Sequence, residues 1–319
     1  MNLPIAVSGT VGRENPLIHR RESITAAPTA AGGCAKRRRA ALKMVDRQLT
    51  NGNFKLALSL IKQLKRQPPP SGLRGFSAAR QVPRRVSSVD QLDLSVTQTF
   101  DLQSLLDSVL DSVKNSLESS SSSSESCEDN DLYLEDDMVQ HKQVVHHEAG
   151  HFLVGYLLGV LPKQYKFSSM EDKIADASVK FVGFEFLTEL EDVVLSNSGH
   201  QVRHTLSFYA QPINASCLLR SVLSKLACVL VGGLVAEHLT FGNSIGHHRD
   251  VEKLYRVLNW LQYTEDEANI LTRWAVLNTL TILNRHREAR LALVEAMSQG
   301  RSIGICIDLI EGNLNYQDI

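Results

Sequence analysis

The sequence predicts a mainly α-helical fold with one small β-hairpin or edge sheet, preceded by disordered and short helical segments. Two observations support the helical part: apolar residues recur at helical spacing beyond residue 140, and only Pro162 and Pro212 interrupt that region. A third observation locates the β-structure. Residues 179–187 alternate and are rich in Val and Phe, which is typical of a strand, and residues 164–168 are its expected partner.

The N-terminal region is strongly basic. Residues 1–85 contain 17 Lys and Arg against three acids. Residues 1–40 lack a secretory apolar core but are rich in Arg, Ser, Thr and Ala, so they are expected to be a disordered transit peptide for the chloroplast, or alternatively for the mitochondrion. The run Lys36–Arg39 also fits a nuclear signal or a nucleic-acid patch. Because no aromatic residue is interleaved there to stack on bases, we favour the transit peptide and expect no nucleic-acid partner.

Residues 41–117 are expected to form short amphipathic helices with a proline-rich break. Two helices are predicted within residues 41–66, separated by Asn51-Gly52-Asn53. Pro68-Pro69-Pro70 ends the second helix. Leucines and valines at helical spacing predict a third helix over residues 101–117, which packs on a neighbour or a partner.

Residues 118–137 have the composition of a disordered linker. Six consecutive serines, 119–124, occur in a segment that carries eight acids and no Lys or Arg. Such a segment buries too little apolar surface to offset its ordering entropy. We therefore place the start of the functional domain at about residue 138 and extend it to residue 319.

A second strongly apolar segment covers residues 218–241. Its uninterrupted core, residues 226–236, is eleven residues long and is flanked by Lys225 and Glu237. This length is too short to span a bilayer, so we expect a buried helix and a soluble or peripheral protein with no transmembrane segment. A further amphipathic helix is expected to follow Asp250 and to run through Gln262.

The five cysteines are scattered and form no C-x-x-C pair. This pattern predicts reduced thiols, two or three of them in the core. A disulfide framework or a cysteine–zinc site is not expected.

The chemically informative motif is H-E-x-x-H at residues 147–151. Residues four apart share one face of a helix, so His147 and His151 can both bind one zinc ion. Glu148 is then placed as the general base that accepts a proton from an activated water. The competing interpretation is a buried helix that carries two histidines without a metal. His146 points about 100° away and is interpreted as a surface or packing residue.

Three ordered blocks resemble the peptidase domain of the FtsH family, peptidase M41. The blocks are His147–His151, Gly232-Gly233-Leu234-Val235-Ala236-Glu237 through Gly242, and Gly246 to Asp250. In that family they read HEAGH, GG-x-x-AEE-x-x-FG and GAxxD. The last helices, residues 284–310, are similar more weakly, and the resemblance covers about residues 140–312.

The resemblance implies a zinc site of His147, His151 and Asp250 with Glu148 as catalytic base. Glu237 matches the first acid of the second block, so it either supports a ligand through a hydrogen bond or replaces Asp250 as a ligand. The alternative for Asp250 is a helix-capping aspartate. His247 and His248 can bind metals, but the family motif places neither at the ion.

The sequence also departs from the family. It contains no G-x-x-x-x-G-K-[ST] motif, so we expect no ATP-driven unfolding by this chain. Residues 188–216 are longer than the family pattern, and His247-His248-Arg249 replaces small residues before Asp250. Two hypotheses follow. The first is an ATP-independent zinc metallopeptidase that acts on unfolded or extended polypeptides. The second is a weak or inactive subunit or adaptor of an organellar FtsH-type complex, and the sequence does not decide between a homo-oligomer and assembly with FtsH-type AAA subunits.

Overall fold

The computed structural model describes residues 29–92, 96–121, 133–167, 177–184, 215–244 and 249–314, together with Gln317 and Ile319. The helices, numbered in chain order, are α1 (Thr29–Thr50), α2 (Phe54–Lys65), α3 (Val96–Ser121), α4 (Tyr133–Leu158), α5 (Ala215–Leu230), α6 (Gly232–Phe241), α7 (Arg249–Trp260), α8 (Glu265–Arg285), α9 (Arg287–Ser298) and α10 (Ile303–Asn313). A short 3-10 turn lies at Val89–Gln91, and strands β1 (Pro162–Lys166) and β2 (Ser178–Phe181) form one antiparallel pair. The predicted mainly helical class with a small hairpin is confirmed.

Helix α4, which carries the H-E-x-x-H motif, lies at the centre of the core. Its residues 152–154 and 156–157 have no exposed side-chain surface. Helices α5, α6, α8 and α9 all pack against it. A helix that is apolar on nearly every face is stable only when neighbours surround it, and this burial fixes the rotamers of the polar residues that it carries.

The N-terminal helices belong to the same core. Buried residues of α1, α2 and α3, among them Leu42, Ile61 and Leu106, join one apolar cluster with those of α4 to α10. The expected boundary at residue 138 therefore does not separate two cores. We also expected residues 1–40 to be disordered, and this is wrong for residues 29–40, which form the first half of α1. Residues 1–28 lie outside the described residues.

Part of the basic run has a structural role. Arg38 Nε donates to Asp308 Oδ1 over 2.7 Å, and Arg39 Nε donates to Oδ2 over 2.6 Å, which joins α1 to α10. The Arg38 side chain is only 11% exposed, whereas Arg39 is 65% exposed. Two arginines on one carboxylate explain why α1 continues into the segment that composition alone assigns to disorder.

The predicted break at residues 51–53 and the helix over residues 101–117 are confirmed, but the helix is longer than expected. Helix α3 reaches Ser121 and α4 begins at Tyr133. The linker prediction for 118–137 is therefore wrong at both ends, and residues 122–132 lie outside the described residues. His238 of α6 lies between two serines of α3, with Nδ1 3.2 Å from Ser108 Oγ and Nε2 3.0 Å from Ser112 Oγ. This contact gives α3 a fixed position on α6.

The hairpin is shorter than the sequence predicts. Tyr165 pairs with Val179 and Lys166 with Ser178, as expected for antiparallel strands. Strand β2 ends at Phe181, because Val182 and Gly183 form a turn in which Gly183 has φ +90°. Residues 185–187 of the expected strand lie outside the described residues.

The apolar segment 218–241 is buried, as predicted, but it is divided into α5 and α6 at Val231. We expected it to be too short to span a membrane. Among the described residues, the stretch Arg220–Phe241 is in fact long and apolar enough to cross a membrane, with 22 residues and a mean hydropathy of 1.6. However, 83% of its apolar window is buried by other parts of the fold, which is typical of core helices.

The C-terminal helices complete the core around α4. The predicted amphipathic helix after Asp250 is confirmed as α7. Helix α8 begins with a capping box: Thr264 Oγ1 accepts from the Glu267 backbone, and Glu267 accepts from the Thr264 backbone. Cys228 and Cys306 are both buried and reduced, in line with the predicted core thiols.

Candidate metal centre

Three side chains from two helices converge on one point. His147 Nε2 and His151 Nε2 lie 2.9 Å apart, and Asp250 Oδ2 lies 3.0 Å from each of them. His147 and His151 occupy successive turns of α4, whereas Asp250 is in the first turn of α7. These are the residues that the sequence and its family resemblance indicate. Asp250 therefore does more than cap a helix, because its carboxylate closes the group.

The second nitrogen of each imidazole is held by a buried acceptor. His147 Nδ1 donates to Glu237 Oε1 over 2.5 Å, and His151 Nδ1 donates to the Val229 carbonyl over 2.6 Å. Both bonds direct Nε2 of each ring toward Asp250. Metal-binding histidines commonly use such contacts to fix the ring orientation and tautomer. Glu237 thus contacts the far side of the His147 ring, and the converging group consists of His147, His151 and Asp250. This arrangement favours the supporting role over the role of a substitute ligand.

Close packing of α4 on α6 sets the Glu237–His147 contact. A Cβ added at Gly150 would lie 2.3 Å from the Gly232 carbonyl oxygen, and one added at Gly233 would lie 2.3 Å from His147 Nε2. Only glycine permits both approaches. The Gly232-Gly233 pair was visible in the sequence, but the role of Gly233 against the His147 ring, like that of the Val229 carbonyl, was missed.

The charges around the site favour a cation. Burial lowers the pKa of His147, but hydrogen bonds with Asp250 and Glu237 outweigh it and raise the pKa to about 10. Burial alone would raise the pKa of Asp250, yet the adjacent His151 and His147 hold it well below its ordinary value. Asp250 and Glu237 therefore favour a positive charge on the His147 ring, which lies between them. A divalent cation supplies that charge, and it must displace the proton of His147 when it binds.

The donor set fits zinc. Two imidazole nitrogens and one carboxylate oxygen, all within 4.8 Å of one another, are groups that zinc binds in catalytic sites with three protein ligands. Ligands about 2.0–2.1 Å from a tetrahedral zinc lie roughly 3.3 Å from one another, so these atoms need to separate by only a few tenths of an ångström. His147, His151 and Asp250 can therefore hold a metal ion.

Glu148 lies beside the group and is only 5% exposed. Within the described part of the chain, its Oε2 has no hydrogen-bond partner. Burial raises the pKa of this carboxyl, while the two histidines and the Val179 backbone N–H partly oppose that rise. A buried carboxylate with one unsatisfied oxygen costs stability, and such an arrangement is typical of a group that exchanges protons.

The neighbouring histidines differ from the ligands. His146 is buried, packs edge-on against Phe241 with ring centroids 5.3 Å apart, and lies 3.4 Å from Thr240 Oγ1 through Nδ1. Burial, Arg290 and Lys142 lower its pKa to about 4, so it is a neutral packing residue and not a surface one. His247 and His248 lie outside the described residues.

Comparison with known proteins leaves the family open. No family model, curated protein or solved structure matches this chain. The site is therefore interpreted from its own geometry.

Proposed function

We propose that this chain is a zinc-dependent metalloendopeptidase of the FtsH-like M41 type, which hydrolyses unfolded or extended polypeptides without an ATPase of its own. The observation that carries the proposal is the contact of the Asp250 carboxylate with both histidines, although Asp250 lies 99 residues beyond His151 in the chain. This contact completes a three-ligand set beside the unsatisfied oxygen of Glu148.

Each residue has a defined part in the proposed hydrolysis. Bound zinc supplies Lewis-acid activation of the water and of the scissile carbonyl. Glu148 Oε2 accepts the proton of the attacking water and returns it to the leaving amine, and burial, which raises the pKa of Glu148, helps it to hold that proton between the two steps. Glu237 and the Val229 carbonyl keep the two imidazoles oriented.

The test uses the full chain, because helices α1 to α3 share the core of the site. Zinc content is measured first, and cleavage of unfolded casein is then compared between the wild type and Glu148→Gln. We expect about one zinc per chain in both proteins and a fall in cleavage of at least about a hundredfold in the variant, the usual contribution of a general base. The matched control is Glu252→Gln, which makes the same change two residues from Asp250 and outside the site.

A second candidate is a non-proteolytic subunit or adaptor of an organellar FtsH-type complex, for which we propose the chloroplast, or alternatively the mitochondrion. The observation that favours it is the hydrogen bond from the Val179 backbone N–H to the Glu148 carboxylate. This bond lowers the pKa of Glu148 and so opposes its role as a proton acceptor. Stoichiometric zinc without Glu148-dependent cleavage would support this candidate, and an equal stimulation of an FtsH-type protease by wild type and Glu148→Gln would establish it. A chain that binds no zinc would contradict the metal site itself.

A further inference from the structure

A second candidate site lies away from the metal centre, along the segment that joins α2 to α3. We call residues 77–89 the strap. The strap and the end of α8 enclose a groove of about 610 Å³. Three arginines line it, Arg80, Arg85 and Arg285, together with Gln81 and Gln91. No acidic side chain is among the described residues that line the groove.

The strap is fixed at both ends. At its start, the Ser77 backbone N–H donates to the Tyr156 carbonyl over 3.2 Å, and those of Ala78 and Ala79 donate to the Leu157 carbonyl over 3.0 Å. Near its end, Arg273 Nε donates to the Ser87 carbonyl over 2.8 Å. These contacts hold the backbone of the strap in place at both ends.

Its middle is pinned to α8 by buried contacts. The Val82 backbone N–H donates to Asn278 Oδ1 over 2.8 Å, and Trp274 Nε1 donates to the Val82 carbonyl over 3.1 Å. Arg285 Nη1 donates to the Arg80 carbonyl over 3.1 Å, which ties the groove wall to the strap. Asn278 and Trp274 are almost completely buried, so these contacts anchor the middle of the strap in the core.

Two of the three arginines that line the groove, Arg80 and Arg85, have no acidic partner among the described residues. Among the residues that the structure describes, no carboxylate forms an ion pair with Arg80 or Arg85, and both side chains are exposed. Their neighbour Arg84 differs. It stacks over Trp274 at 5.2 Å, donates Nη2 to the Arg220 carbonyl over 2.8 Å, and lines a separate groove that includes Glu267.

The chemistry of this lining selects a multivalent oxyanion. A carboxylate has two oxygens and one negative charge, whereas a phosphate group offers more acceptor oxygens and up to two negative charges to several arginines at once. The glutamine amides add further neutral donors. A groove of this volume lies within the range of ordinary small-ligand sites, which is roughly 300–1,000 Å³.

We propose that the groove between the strap and α8 binds a phosphate-bearing anion through Arg80, Arg85 and Arg285. The site is independent of the metal centre and of the proposed peptidase activity. Its ligand is either a free phosphate compound or the phosphomonoester headgroup of a lipid, and the two sources share this chemistry.

The experiment measures both sources on the full chain at low, constant ionic strength. Binding of inorganic pyrophosphate is followed by calorimetry, and binding to vesicles of phosphatidylcholine with one part in five of phosphatidate is followed by sedimentation. The double variant Arg80→Gln/Arg85→Gln is expected to weaken whichever binding is seen by at least about tenfold, because each charge-assisted contact contributes that much or more. The control Arg84→Gln removes one positive charge from a strap position that does not line this groove, and it is expected to change binding less than about twofold.

The two arms separate the ligand sources. Saturable pyrophosphate binding that depends on Arg80 and Arg85 indicates a free phosphate compound, and binding to phosphatidate vesicles alone indicates a lipid headgroup. Absence of both would overturn the proposal. So would pyrophosphate binding that survives the double variant, since the anion would then bind elsewhere, for example at the metal centre. Circular dichroism melts of all variants verify that each is folded.

Discussion

Two buried glutamates, one in helix α4 and one packed against it, differ in whether their carboxylate oxygens accept hydrogen bonds. Glu311 of α10 is 1% exposed and both of its oxygens are satisfied: Oε1 accepts from the Tyr156 hydroxyl over 2.6 Å and from Gly75 N over 2.7 Å, and Oε2 accepts from Arg74 N over 2.7 Å. Glu148, in the middle of α4, is 5% exposed, and no described residue gives its Oε2 a hydrogen bond.

The difference distinguishes a carboxylate that stabilises the fold from one that is suited to proton exchange. Buried polar groups are nearly always hydrogen-bonded, because an unsatisfied one keeps the cost of its desolvation. Glu311 follows this rule and joins α10, the residues just before the strap and the end of α4. Glu148 departs from it next to three candidate metal ligands. Helix α4 is therefore held at its C-terminal end by Glu311 and carries Glu148, with its unsatisfied oxygen, in the middle.

The largest expected effect is the loss of folding stability when Glu311 is changed. In either orientation, Glu311→Gln places its amide N–H₂ against a backbone N–H, of Arg74 or Gly75, which can only donate. We therefore expect the free energy of unfolding to fall by about 3 kcal/mol. Urea denaturation measures the change. The control is Glu288→Gln, whose side chain is 73% exposed and which should cost less than about 0.5 kcal/mol. A loss below about 1 kcal/mol for Glu311→Gln would show that the hydrogen bonds from Tyr156, Gly75 and Arg74 contribute little.

An intermediate effect is expected for Glu237, which orients a ligand without binding the metal. Glu237→Ala removes the acceptor of His147 Nδ1 and should lower zinc affinity by about 10- to 100-fold, roughly 1.4–2.7 kcal/mol. Competition with a chromophoric chelator measures this affinity. Glu252→Gln should bind zinc as the wild type does. Unchanged affinity in Glu237→Ala would mean that packing against Gly233 is enough to orient the His147 ring.

The smallest expected effect is on the stability contributed by Glu148. In the metal-free chain, Glu148→Gln removes a buried charge that has one unsatisfied oxygen, so the free energy of unfolding should stay constant or rise by up to about 1 kcal/mol. The same substitution thus gives opposite signs at positions 148 and 311. A destabilisation at 148 equal to that at 311 would remove the distinction between the two carboxylates.

The candidate site was predictable in part because some of its geometry is local. The i, i+4 spacing places His147 and His151 on one face of any helix, and the alternating residues from Val179 onward indicate a strand. Asp250 was placed by resemblance to a family motif, since no periodicity connects positions 103 residues apart. The failed predictions concern segments such as 29–40, whose composition suggests disorder but whose arginines have a partner on α10.

The sequence by itself determined the helical periodicity, the break at residues 51–53, the hairpin and the pair of histidines, because each depends on residues within a few positions of one another. Only the tertiary structure decided that Asp250 meets those histidines, that Glu237 holds His147, and that Glu311 is satisfied while Glu148 is not. These contacts depend on how whole helices pack, and packing is set by the combined shape of many distant side chains.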